Sequence, residues 1–135
     1  MSLKPGILGQ QTELIDGVKV SSISEYTAGA GISVNNVLKC SGSIGYAYST
    51  VTGSTLLNDT HCFVSASGSV TYSITLPTAV GCSGRVYIIK SNMNAGVLLT
   101  VNTTSSQTID GALAVVLSRY SALQVISSGS NWEVF

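Results

Sequence analysis

The 135-residue chain carries six Lys+Arg against six Asp+Glu, a formal net charge of zero, with only 9% of its residues charged. Six scattered cations give no electrostatic footprint for neutralising phosphates, which excludes duplex nucleic acid as a partner class. With 44% apolar residues, 22 serines and 13 threonines beside abundant Val and Ile, the composition is that of a folded β protein whose solvent faces are made of hydroxyls.

No apolar run approaches the roughly 18 residues of a spanning helix, so no membrane insertion is expected. Residues 1–11 read as a flexible N-terminal tail or an expression remnant. From 12 to 45 the pattern is fragmentary. Val18 and Val20 begin an alternation that slips at Ser21-Ser22, and Thr27-Ala28-Gly29-Ala30-Gly31 interrupts it before Ile32, Val34 and Val37-Leu38. A lone chain buries little with such fragments, whereas several copies wrapped around one another cover them and remove exposed strand edges. Residues 12–45 are therefore read as an intertwined β shaft, and 46–135 as a globular head.

Within the head, His61 to Ala66 reads as a strand, followed by a hairpin turn at Ser67-Gly68-Ser69. Val70, Tyr72, Ile74 and Leu76 then alternate with Thr71, Ser73 and Thr75, the period of a half-buried strand that Pro77 ends. After the Gly81–Gly84 turn, Arg85 to Lys90 is apolar on both sides, as a central strand is. Further strands are expected at Val97, Leu99 and Val101, at Leu113, Val115 and Leu117, at 122–126 and at 132–135. Turns at 94–96, 110–111 and 128–131 separate them. The expected fold class is all-β, an antiparallel β-sandwich or jelly-roll-like head.

Two segments carry a resemblance. Ile23-Ser24-Glu25-Tyr26-Thr27 with Gly31-Ile32 and Val34-Asn35-Asn36-Val37-Leu38-Lys39 resembles a shaft element of trimeric fibre and capsid-appendage proteins. That element commonly has Gly where Asn36 stands, and Asn also tolerates the left-handed conformation. The order Leu76-Pro77, Gly84-Arg85-Val86-Tyr87-Ile88-Ile89-Lys90, Ile109-Asp110-Gly111 and Ser128-Gly129-Ser130-Asn131-Trp132 resembles the β-structured head domains at fibre tips. Such modules belong to bacteriophage tail fibres, large DNA viruses of algae and amoebae, and prophage-derived surface proteins. The resemblance implies a homotrimer on the virion surface whose head meets the host.

Catalytic motifs are missing from the sequence: there is no nucleophile elbow, P-loop, zincin motif or paired-carboxylate site. No catalytic residue and no cofactor is assigned. Cys40, Cys62 and Cys82 are an odd set without a C-x-x-C pair; three thiols is the plain reading, and one disulfide stays open. His61, the sole histidine, sits beside Cys62 where a strand sends the two side chains to opposite faces, so no metal site is expected. Asn58-Asp59-Thr60 reads as a turn. Carbohydrate is the ligand class that fits a hydroxyl-rich β head, because an exposed aromatic ring covers a sugar's C–H face while amides and hydroxyls meet its oxygens. Tyr46, Tyr48 and Tyr120, with Asn92 and Asn94, are the candidate binding residues. The expected function is attachment to a host surface glycan or other receptor; the alternative is a purely structural appendage or trimerisation cap.

Overall fold

The computed structural model describes Val37 and residues 39–135. The shaft reading over 12–45 falls mostly outside them, and residues 39–45 carry no strand. Residues 42–135 form one unit. Its strands are β1 (Tyr48–Val51), β2 (Thr55–Leu56), β3 (Phe63–Ala66), β4 (Tyr72–Thr75), β5 (Val86–Ser91), β6 (Leu99–Asn102), β7 (Ala114–Leu117), β8 (Ala122–Ser127) and β9 (Trp132–Val134). No helix occurs among the described residues, so the fold is all-β.

The strands form a five-stranded sheet in the order β1-β3-β5-β8-β9 and a four-stranded sheet in the order β2-β4-β6-β7. Both sheets are mixed. Strands β1, β3 and β5 run parallel to one another, as do β2, β4 and β6, while β7, β8 and β9 add antiparallel pairs. The first six strands alternate between the sheets, so the chain winds as a coil: each parallel neighbour is reached through a strand of the opposite sheet. Parallel pairing always requires such a crossover, and here a strand supplies it in place of a helix.

This corrects the antiparallel expectation, because two-residue periodicity reveals a strand and its buried face but not its partner or direction. The turn at Ser67-Gly68-Ser69 is not a hairpin: β3 and β4 lie in different sheets. Gly68 has no positive φ there. Val70 belongs to this crossing and is exposed, unlike Tyr72, Ile74 and Leu76 on the buried face it was expected to share. Leu113 likewise precedes β7 and faces solvent, and His61 lies in the turn before β3. Where glycine does adopt positive φ, the expected turns form: Asp110 (47°) and Gly111 (87°) close the tight Ile109–Ala112 bridge, the two-positive-φ pattern that Asp-Gly favours.

One hydrophobic core serves both sheets. Val64, Ala66, Tyr87, Ile89, Leu123, Val125 and Trp132 enter it from the five-stranded sheet, and Tyr72, Ile74, Leu99, Val101 and Leu117 from the other. Each large side chain fully removed from water contributes about 1.5–3 kcal/mol. β5 is the middle strand of its sheet, as its two-sided apolar run predicts. Polar anchors then tie the loops to the core. The Trp132 indole N–H donates to the Pro77 carbonyl at 3.2 Å, and the Ala79 N–H donates to Gln107 Oε1 at 2.9 Å. The Ser127 hydroxyl donates to the Ala79 carbonyl at 2.7 Å.

Candidate functional site

The outer face of the five-stranded sheet is set by register. Tyr48, Phe63, Ile88 and Gln124 form one row across it, and Thr50, Ser65, Lys90 and Ala122 form the next row on the same face. Beyond the second row β5 ends, but its pairing direction continues. The Asn92 N–H donates to the Ala66 carbonyl at 2.7 Å, and the Asn94 N–H donates to the Gly68 carbonyl at 2.9 Å. The Asn92 side-chain amide donates to Ser65 Oγ at 2.8 Å, which fixes its orientation on the outer face.

The turn between β7 and β8 meets β5 at this end. The Tyr120 N–H donates to the Ser91 carbonyl at 2.7 Å, and the Ser91 N–H donates to the Ser121 carbonyl at 2.9 Å. Tyr120 is held at a φ of 65°, in the left-handed region. For a residue with a bulky side chain this costs about 1–2 kcal/mol, so surrounding bonds must hold it. They are present: Lys90 Nζ donates to the Tyr120 carbonyl, the Ser121 N–H donates to the Ser118 carbonyl at 3.1 Å, and the Ser118 and Ser121 hydroxyls meet at 2.8 Å. The outcome is an aromatic side chain 60% exposed on a pinned backbone. Arg119 completes the corner, its guanidinium carbon 4.4 Å from the Tyr120 ring centroid and its Nη2 donating to the Tyr120 hydroxyl at 2.6 Å.

Of the five residues singled out from the sequence, Asn92, Asn94 and Tyr120 gather around the C-terminal end of β5. Tyr48 stands on the same outer face but in the preceding row, its ring stacked on Phe63 with centroids 5.4 Å apart. Tyr46 precedes β1, exposed. Sequence reading missed Lys90 and Arg119. Their signal was present in the inventory, since only three cations, Arg85, Lys90 and Arg119, fall within 46–135.

The head's acids lie at other places. Asp110 Oδ1, in the Ile109–Ala112 turn, accepts the N–H of Val134 on β9 at 3.1 Å, Glu133 on β9 pairs with Ile126 on β8, and Asp59 sits in the turn before β3. That turn is closed by Asn58 Oδ1, which accepts the Thr60 N–H at 3.0 Å and meets His61 Nδ1 at 2.7 Å. Cys40, Cys62 and Cys82 are free thiols. Among the described residues no group of three His, Cys, Asp or Glu side chains is placed to hold a metal ion. This end of β5 thus offers groups for stacking and hydrogen bonding, with an aromatic ring, hydroxyls and two cations on its β8 side and an amide on its β3 side. No known family model matches the chain, and no curated protein matches it.

Proposed function

We propose that this chain is the head, with an adjoining shaft end, of a homotrimeric viral fibre, a virion-surface protein without enzymatic activity that attaches to a glycan on the host surface. The observation that carries the reading is the exposed Tyr120 ring on a pinned left-handed turn, at the same end of β5 as the oriented Asn92 amide. A ring of that kind offers a face to a sugar's C–H groups, and its fixed backbone lowers the ordering cost of binding.

The two sheets closing on one core are read as the layers of a β-sandwich with mixed strand directions. Trimer formation is supported by the Val86 and Ile88 rows on the outer face of the five-stranded sheet, where Phe63, Ile88, Val86 and Ile126 are only half-buried and Tyr48 is exposed, at the end of that face away from the Tyr120 turn. Three weak sites on one axis raise avidity by orders of magnitude without any new contact.

Arrays of immobilised glycans and intact host cell walls test the attachment role. Wild-type protein is expected to bind one saccharide class reproducibly, and Tyr120→Ala, with its unfolding transition retained, to bind at least about tenfold more weakly. Silence against every glycan and against host walls overturns attachment and leaves the structural cap.

A further inference from the structure

Recognition of a neutral sugar needs only the ring and the amide, and holding Tyr120 in place uses one donor of each cation but not their charge. Lys90 and Arg119 come from different strands' surroundings, yet both side chains bond to one residue: Lys90 to the Tyr120 carbonyl, Arg119 to the Tyr120 hydroxyl. Two of the head's three cations therefore stand within the span of a single tyrosine. Neither has a carboxylate among its described partners, and the Asp110 carboxylate is engaged in a hairpin elsewhere. Bringing like charges together without an acid between them works against folding, and an anionic ligand reverses that cost.

We propose that the Lys90–Arg119–Tyr120 corner selects an acidic saccharide, one whose pyranose ring bears a carboxylate or a sulfate group; this rests on the glycan-attachment reading above. Donor capacity is in place. An ammonium has three N–H donors and a guanidinium five, and each side chain spends one on Tyr120. The guanidinium is already ordered against the ring, so the planar fork that matches a carboxylate or sulfate is presented without first being immobilised. Arg119 lies over the ring, and Tyr120 remains 60% exposed, which leaves part of its surface for the sugar. The Asn92 amide, oriented by Ser65, lies at the same end of β5 on the β3 side. Two cations in one corner of a chain with zero net charge suit a single anionic group rather than a phosphate track.

The experiment compares matched polymers: polygalacturonate with its carboxyl-reduced form, and a sulfated galactan with its desulfated form. Binding is measured at about 0.05 M and about 0.5 M sodium chloride, since added salt screens an exposed charge contact. The corner predicts affinity for at least one charged polymer about tenfold or more above its neutral counterpart, reduced at high salt. Arg119→Gln and Lys90→Gln, each checked for an unchanged melting transition, weaken binding of the charged polymer more than that of its neutral counterpart and so remove most of that preference. Arg119→Lys restores the charge but not the fork, and recovers only part of it. The pair of acidic polymers separates carboxylate from sulfate selectivity. Equal affinity for charged and neutral forms, or a preference that survives both glutamine variants, overturns this inference and leaves glycan attachment standing. Silence against all four polymers and against host walls overturns both.

Discussion

The Cε1 atom of Tyr72 lies 3.3 Å from the point where a Cβ on Gly68 would stand. Gly68 is required here for close approach and not for its φ. The ring cannot easily retreat, because the Tyr72 hydroxyl donates to the Val51 carbonyl at 3.0 Å and the Ser67 carbonyl at 3.1 Å, tying β1, β4 and the crossing between sheets together. Gly68→Ala gains about 0.4–1 kcal/mol from the unfolded chain and loses about 1–3 kcal/mol to overpacking. A net loss of about 1 kcal/mol is expected in urea unfolding. In a Tyr72→Phe background the ring is freed from its two carbonyls, so the alanine penalty shrinks; an equal penalty in both backgrounds contradicts the geometry.

Ser127 and Ser91 are both buried serines in the five-stranded sheet, with opposite bonding. The Ser127 hydroxyl donates to the Ala79 carbonyl at 2.7 Å, whereas Ser91 Oγ has no hydrogen-bond partner among the described residues. Ser127→Ala leaves the Ala79 carbonyl only the longer 3.4 Å bonds from Cys82, takes the acceptor from the Gly129 N–H, and is expected to cost about 1–2 kcal/mol. Ser91→Ala is expected to be neutral or slightly stabilising, by no more than about 1 kcal/mol. Thermal unfolding of the two variants side by side checks the contrast.

Burial pushes the phenols of Tyr72 and Tyr87 up from the ordinary tyrosine value of 10.0, with the hydrogen bond between Tyr72 and the Ser67 backbone, and Arg85 beside Tyr87, partly opposing it. A raised pKa means that the folded state holds the proton more tightly than the unfolded chain. Their contribution is therefore complete below about pH 10 and is lost as pH rises through the folded values. The melting temperature should hold steady from neutral pH to about pH 9 and fall above about pH 10. Tyr87→Phe removes a 2.8 Å bond from the hydroxyl to the Asn58 carbonyl, costing about 1 kcal/mol at neutral pH, but it makes the alkaline fall shallower.

Much of the strand content was legible. Alternation marked β4 and β6, the two-sided apolar run marked β5 as central, and Asp110-Gly111 and Ser128–Asn131 marked tight turns. β1 and β2 were not legible: β2 is two residues long and exists through its parallel pairing with β4, a non-local contact that no local pattern reports. The winding between sheets was hidden for the same reason. At the corner, Asn92 and Tyr120 could be picked out as residues suited to sugar contacts. The left-handed turn could not, because Ser118-Arg119-Tyr120-Ser121 contains neither Gly nor Asn. The meeting of Lys90 with Arg119 depends on β5 pairing with β8, which only the fold supplies.

The proposed trimer is tested most directly by mass in solution, measured by light scattering on size exclusion at several dilutions. A stable species near three times the 13.9 kDa chain mass is predicted, and Ile88→Lys, on the outer face of the five-stranded sheet, should dissociate it while each chain still unfolds cooperatively. A wild-type protein that stays at one chain mass at every dilution, with its own cooperative unfolding transition, would contradict the account.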